Sequence, residues 1–347
     1  MTDLLIAPAD ELAHSGATDI STPRLGFLGV GWIGRHRMEA IANGGLAEIA
    51  AITDTSSEMI AAARNSVPQA RVAAGLDDLL EMGLDGIVIA TPSALHAEQS
   101  IRALESGLAV FCQKPLGRTA EEARRVVDAA RAADRLLSVD FSYRFTEAMR
   151  EIRERVRAGE LGRVFAVDLV FHNAYGPDKP WFYDPAQSGG GCVMDLGVHL
   201  VDLALWTLGW PGVDSVSSRL FKDGEPLGAS PDVCEDYATA TLGLEGGMSV
   251  NLTCSWRVSA GQDAVIGAAF YGTGGGAALK NVDGSFYDFT AELYHGTSRE
   301  TLSTPPDPWG GRAAADWARR LAEGERYDPA CERLVEVAEV LDRIYGR

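Results

Sequence analysis

Leu25-Gly26-Phe27-Leu28-Gly29-Val30-Gly31-Trp32-Ile33-Gly34 decides how the chain begins to fold. An apolar run with the length of a buried strand passes directly into glycines spaced G-x-G-x-x-G, and an amphipathic stretch follows. In that setting Gly29 permits a tight turn, Gly31 lets backbone approach a pyrophosphate, and Gly34 lets the helix pack close on the strand. The helix N-terminus then faces negative charge. Asp54 ends a second apolar run, residues 48–53, at the distance where an acid hydrogen-bonds the hydroxyls of an adenine ribose. The plainer reading is that the glycines punctuate a loop and Asp54 caps the next helix. A carboxylate at this place repels a 2′-phosphate, and no Arg follows it directly, Arg64 and Arg71 being the nearest, so NAD is expected over NADP.

Working outward, strand candidates at 25–30, 48–53, 86–90, 109–112 and 137–141 alternate with helical stretches such as 94–106 and 119–134. Several of the strands lack polar alternation, as parallel strands covered on both faces do. Thr119 and Glu122 fit a capping box. After about residue 150 longer β-rich runs appear at 164–172, 213–221, 237–244 and 248–256, which predicts an antiparallel sheet. An apolar helix is expected at 198–208, and two helices close the chain. The last starts at Asp328-Pro329 as N-cap and first residue, with Leu334, Ala338, Leu341 and Tyr345 on one face. The expected division is a flexible arm at 1–22, a nucleotide-binding domain at 23–145 and a second domain at 146–347, whose closing helices can pack back on the first.

Bulk properties bound the function. The chain has 347 residues, 46% hydrophobic and 23% charged, enough for two cores without disulfides or metals. A net charge of −18 repels phosphate backbones and anionic lipid, so neither nucleic acid nor membrane is an expected partner. Five cysteines without C-x-x-C spacing suit a reducing compartment. No apolar run is read as long enough to span a bilayer. Asp3, Asp10, Glu11 and Asp19 stand where a signal peptide needs positive charge, and cytoplasmic residence is expected.

Chemistry is expected where chain leaves strand ends: Thr91-Pro92 with His96, Gln113-Lys114-Pro115, and Gly189-Gly190-Gly191 followed by Asp195 and His199. Ligands of open α/β sheets bind at the carboxyl edge. Hydride transfer from an alcohol needs a group to take the hydroxyl proton, and Lys114 and His199 are the candidates. An ordinary loop lysine is the alternative for Lys114. His199, in the first turn of a helix, is expected to be kept neutral by the dipole. Asp195, four residues earlier, either orients that imidazole or accepts from a substrate hydroxyl. Asp195, His199 and Asp202 share helical spacing, but no Cys or second His joins them, so no metal is expected. His96 is read as a loop histidine that orients the cofactor or a neighbouring turn. Tyr175, Trp181, Phe182, Tyr183 and Trp256 either stack on a sugar face or pack the domain boundary.

Together with Tyr143-Arg144-Phe145, these segments resemble the glucose-fructose oxidoreductase, inositol dehydrogenase and rhizopine catabolism family, written Gfo/Idh/MocA, from about Arg24 to the C-terminus. The resemblance implies an α/β protein. It has an N-terminal Rossmann doubly wound parallel sheet and a C-terminal α+β domain with a large open, mostly antiparallel sheet, through which copies assemble into homodimers or homotetramers. It implies Lys114 as the catalytic residue with Asp195 and His199 completing the site. It also implies Trp32, Ile33, Thr91, Pro92, His96 and Lys114 against the cofactor; Tyr143 and Arg144 of the family's Y-R-F-like stretch, and Trp181 and Trp256 from the aromatic reading above, are expected with the catalytic three around the substrate. One position departs: Gln113 stands where the family pattern has Glu, which removes a carboxylate beside Lys114 and leaves an amide that can still hydrogen-bond the cofactor.

The expected activity is NAD-dependent interconversion of a ring secondary alcohol and ketone in a sugar, amino sugar, glycoside or cyclitol. Two alternatives stand beside it: a hydrolase or lyase that retains NAD and oxidises its sugar only transiently, and a dinucleotide-sensing protein without turnover.

Overall fold

The computed structural model describes residues 22–229 and 231–347. The arm expected at the N-terminus therefore lies, but for its last residue, outside the described residues. Strands β1 (Arg24–Leu28), β2 (Glu48–Thr53), β3 (Arg71–Val72), β4 (Gly86–Ile89), β5 (Ala109–Cys112) and β6 (Leu137–Val139) form a parallel sheet in the order β3-β2-β1-β4-β5-β6. Helices α1 (Trp32–Asn43), α2 (Ser57–Ser66), α3 (Leu76–Leu80), α4 (Ser93–Glu105) and α5 (Ala120–Ala133) supply the crossovers. Alternate residues of the buried strands feed two cores. Leu25, Phe27, Val88 and Phe111 pack with Met38 and Ile41 of α1, while Ile87, Ile89 and Val110 pack with Leu104 of α4 and Val126 of α5. That two-sided burial is why these strands read as unbroken apolar runs. The strand order reverses between β1 and β4, and the crevice at their carboxyl ends is where such sheets bind ligands.

Helix α6 (Glu147–Arg157) leads into a nine-stranded sheet of β7 (Val164–Asn173), β8 (Val213–Lys222), β9 (Glu225–Pro226), β10 (Tyr237–Leu244), β11 (Met248–Ser255), β12 (Ala264–Gly272), β13 (Gly276–Asn281), β14 (Phe289–His295) and β15 (Ser298–Ser303). The order is β15-β14-β13-β12-β7-β11-β10-β8-β9, antiparallel except where β11 pairs with β7. No expectation covers the four strands from β12 onward; Gly267 and Gly272 interrupt the apolar pattern of β12, and Gly274 to Gly276 lead into β13.

A short α7 (Pro185–Ser188) and a π-helical turn, Val193–Gly197, run into α8 (Val198–Leu208). By length and hydropathy the run Pro185–Leu208 could cross a bilayer, which corrects the reading that no stretch approaches that length. It is mostly buried inside the protein instead. Of the closing helices, α9 (Arg312–Ala322) buries Ala314 and Trp317 in the first domain's core beside α1, and α10 (Glu332–Tyr345) packs on α5 and α8. Asp328 caps a 3-10 turn, Pro329–Cys331, and the α-helix proper begins after it.

Candidate active site

The glycine turn has the shape a dinucleotide requires. Gly29 has φ +92°, and a Cβ there would lie 2.5 Å from the carbonyl oxygen of Ala90; a Cβ on Gly34 would lie 2.2 Å from that of Gly29. Gly31 has nothing within 4 Å of a Cβ, so backbone faces open space. Asp54 Oδ2 accepts the Val30 N–H at 2.8 Å and Oδ1 accepts the Ser56 N–H at 2.9 Å. The carboxylate thus braces the glycine turn and starts the next helix, and it keeps lone pairs for a ribose. Arg71 pairs with Asp78.

A cavity of about 540 Å³ opens beside this turn. Of the residues expected at the cofactor, Gly31, Trp32, Ile33, Thr91, Pro92, His96, Gln113 and Lys114 line it; Gly29, Gly34 and Asp54 lie outside its wall. Trp32 is 59% exposed and stacks on His36. His96 sits inside α4, not in a loop, and its ring nitrogens lie 2.7 Å from the carbonyl oxygens of Thr91 and Pro115. It ties the turns after β4 and β5 together.

Lys114 leaves the end of β5 and meets the π-helical turn of the second domain. Its Nζ donates to Asp195 Oδ1 and to the Asp195 carbonyl oxygen, both at 2.7 Å. The other oxygen, Oδ2, accepts from Trp256 Nε1 at 3.0 Å. Asp195 therefore orients Lys114, while no hydrogen bond joins it to His199, which corrects the expectation that it steers the imidazole. His199 lines the same cavity, ringed by Phe141, Tyr143 and Phe171, and its Nδ1 is buried without a partner among the described residues. Its pKa is held well below 6.5 by burial first, then by the positive charges of Lys114 and Arg37. The helix-dipole explanation is thus replaced: the π-helical turn continues into α8, so His199 is not in a free first turn.

Tyr143 and Trp181 line the cavity, whereas Arg144 and Trp256 do not. Arg144 donates to Asp202 from Nε and Nη2 and lies over Phe141, Trp206 and Trp210, so its guanidinium is engaged in packing. With Asp202 on Arg144 and Asp195 on Lys114, the three residues of the metal reading turn to separate partners. Trp181 stacks on Phe182 in the loop after β7, and Tyr183 packs edge-on against Trp256.

Several residues at the site escaped the sequence reading. Arg37, Asp140, Tyr287 and Trp309 line the cavity. Asp140 follows a strand end just as Asp54 does, a signal that was legible. Glu235, wholly buried, accepts from the N–H groups of Gly191 (2.9 Å) and Val193 (2.8 Å) and from the Tyr345 hydroxyl (2.9 Å). A Cβ on Gly191 would lie 1.9 Å from the Glu235 carbonyl oxygen. Gly191 lets this turn close over Glu235, Gly190 is bare against the Tyr345 hydroxyl and Gly189 against Arg118, and the Gly191 carbonyl accepts the Asp195 N–H at 3.0 Å.

Comparison with known proteins agrees with the fold. Residues 24–141 match the oxidoreductase family with an NAD-binding Rossmann fold, and residues 149–278 match the GFO/IDH/MocA C-terminal domain. A D-glucoside 3-dehydrogenase of Escherichia coli (strain K12) is 29% identical over 236 residues, 65% of this chain and 64% of that protein. The rhizopine catabolism protein MocA of Rhizobium meliloti is 34% identical over 188 residues, 54% of this chain and 57% of that protein. The matched part is thus under two thirds of either relative. A levoglucosan dehydrogenase solved with NADH and L-sorbose superposes with a TM-score of 0.80 over 94% of this chain and 96% of that one; at 21% identity the likeness is one of fold.

Proposed function

The chain belongs to the Gfo/Idh/MocA oxidoreductase family, and from that premise we propose that it interconverts a ring secondary alcohol and its ketone in a sugar, amino sugar, glycoside or cyclitol, using NAD. The observation that carries the reading is the Lys114–Asp195 contact on the wall of a cavity that the glycine turn also lines. The residues fit a dinucleotide: the turn excludes any side chain at Gly29 and Gly34 and is open at Gly31, and Asp54 stands one strand over. NAD, when bound, supplies the hydride acceptor.

This chain's own residues handle the proton. As the hydroxyl C–H bond breaks, the Lys114 amine takes the hydroxyl proton, and in the reverse direction its ammonium returns it to the ketone oxygen. Asp195, anchored by Trp256, fixes the Nζ so that little reorganisation accompanies the transfer. His199 offers a neutral imidazole for a second ring hydroxyl or for carrying the proton onward. Trp181, Tyr143 and Trp309 give the cavity apolar walls suited to the C–H face of a sugar ring. We expect two or four copies to assemble through the face of the nine-stranded sheet that carries Asp168, Asn251 and Tyr271.

The test is a panel of polyols, aldoses, amino sugars, glycosides and cyclitols, each followed for reduced nicotinamide with NAD and with NADP. Accumulation of NADH with at least one of them, and weaker turnover with NADP, is expected. Product release without net NADH would favour the NAD-retaining hydrolase or lyase, and no substrate-dependent change with either cofactor would overturn the proposal.

A further inference from the structure

Behind Lys114 lies a buried charged cluster that the proton chemistry leaves unused. Arg37 of α1, Gln113 at the end of β5 and Asp140 at the end of β6 are 5%, 7% and 1% exposed, and all three line the cavity. Backbone hydrogen bonds hold two of them at their strand ends: Gln113 N–H donates to the Ile89 carbonyl and Asp140 N–H to that of Cys112. The side-chain bonding is lopsided. Arg37 Nε and Gln113 Nε2 both donate to the same oxygen, Asp140 Oδ2, and Oδ1 is buried without a partner among the described residues. A carboxylate oxygen left so is costly unless a donor arrives from outside the protein.

Resting on the dinucleotide reading above, we propose that Asp140 Oδ1 receives the N–H of the nicotinamide carboxamide, and that Arg37 and Gln113 hold the carboxylate for that purpose. The donor must enter through the cavity, which lies at the carboxyl ends of β4, β5 and β6, on the far side of β1 from the ribose-binding Asp54. That is the end of a dinucleotide opposite its adenine, where the donors are the carboxamide N–H and the hydroxyls of the adjoining ribose; ADP-ribose keeps the hydroxyls and lacks the carboxamide, so the two are separable. Gln113 in place of an acid serves the arrangement: an amide donates to Asp140, where a second carboxylate would repel it.

Calorimetric dissociation constants for NAD, for 3-acetylpyridine adenine dinucleotide, whose methyl ketone has no N–H, and for ADP-ribose, which has no ring, test this without turnover. The wild type is expected to bind NAD about 10- to 100-fold more tightly than the acetylpyridine analogue. In Asp140→Asn the donors of Arg37 and Gln113 keep the amide oxygen on their side and leave an NH2 where Oδ1 was. The preference for NAD should then collapse while ADP-ribose binds as before. The double variant Arg37→Met, Asp140→Asn, which leaves no unpaired buried charge, should behave alike. Equal affinity of the wild type for NAD and the analogue, or a preference that survives in either variant, overturns the inference alone. Failure of the wild type to bind NAD and ADP-ribose overturns the dinucleotide reading with it.

Discussion

Lys114, just past the end of β5, and Asp195, in the π-helical turn of the second domain, meet twice, the ammonium donating to both the side-chain and the backbone oxygen of one residue at 2.7 Å. Two acceptors on a single residue fix the Nζ in position as well as in distance. If its role is proton transfer, Lys114→Ala should lower turnover by roughly 100- to 10,000-fold with little change in NAD affinity. Lys114→Arg should be nearly as slow, because guanidinium keeps the charge but does not release its proton. Steady-state kinetics beside NAD binding checks both, and an active arginine variant would reduce the lysine to a source of charge.

Asp54 is proposed to carry the cofactor preference. Asp54→Ala would remove the proposed ribose acceptor and the brace on Val30 together. NAD affinity should fall by about tenfold or more, and NADP should lose less, so that the ratio between them narrows. Titration with each cofactor reads this directly, and an unchanged ratio would remove Asp54 from cofactor choice.

The fold was legible because burial leaves a plain trace. The strand Arg24–Leu28, its glycines and the helix capped by Thr119 follow from local chemistry, and the structure places them there, whereas Asp328 caps a 3-10 turn that precedes the last helix. Strand β12 was not legible, since Gly267 and Gly272 interrupt it and its partner β7 is distant in sequence, and β15, Ser298–Ser303, is polar and largely exposed, so burial leaves no apolar trace in it. At the site, spacing brought Lys114, Asp195 and His199 into one cavity but not their bonding. An i to i+4 pair suggested that Asp195 and His199 touch, whereas the carboxylate turns to Lys114 and Trp256. Arg144 looked like a substrate contact from its motif; only the packed chain reveals Asp202 beneath it.

His199 makes native stability sensitive to acid. Its folded pKa lies well below the 6.5 of an unfolded histidine. In the interval between those two values the unfolded chain binds a proton that the native protein does not, so stability falls as pH drops below 6.5. One such group contributes at most about 1.4 kcal/mol per pH unit. His96, lowered in the same direction by burial, adds to the trend. Urea unfolding measured on both sides of 6.5 should show a shallower acid dependence for His199→Gln than for the wild type. An identical dependence would mean that the imidazole takes up its proton at the same pH in the native and the unfolded chain.

Glu235 predicts a stability effect in the second domain. Glu235→Ala strips the Gly191 and Val193 N–H groups and the Tyr345 hydroxyl of their acceptor, at a cost of about 3 kcal/mol or more. Tyr345→Phe, which loses one of the three bonds, should cost about 1 kcal/mol. Chemical denaturation separates the two, and equal losses would mean that the hydroxyl, not the turn, anchors Glu235.

Hydride transfer itself is most directly tested with deuterium. A substrate found in the panel, labelled on its reacting ring carbon, is incubated with the wild-type protein and NAD, and the reduced cofactor is analysed by mass spectrometry. Deuterium carried into the dihydronicotinamide is the predicted result; NADH free of label, with the deuterium left on the sugar or lost to water, would contradict the account.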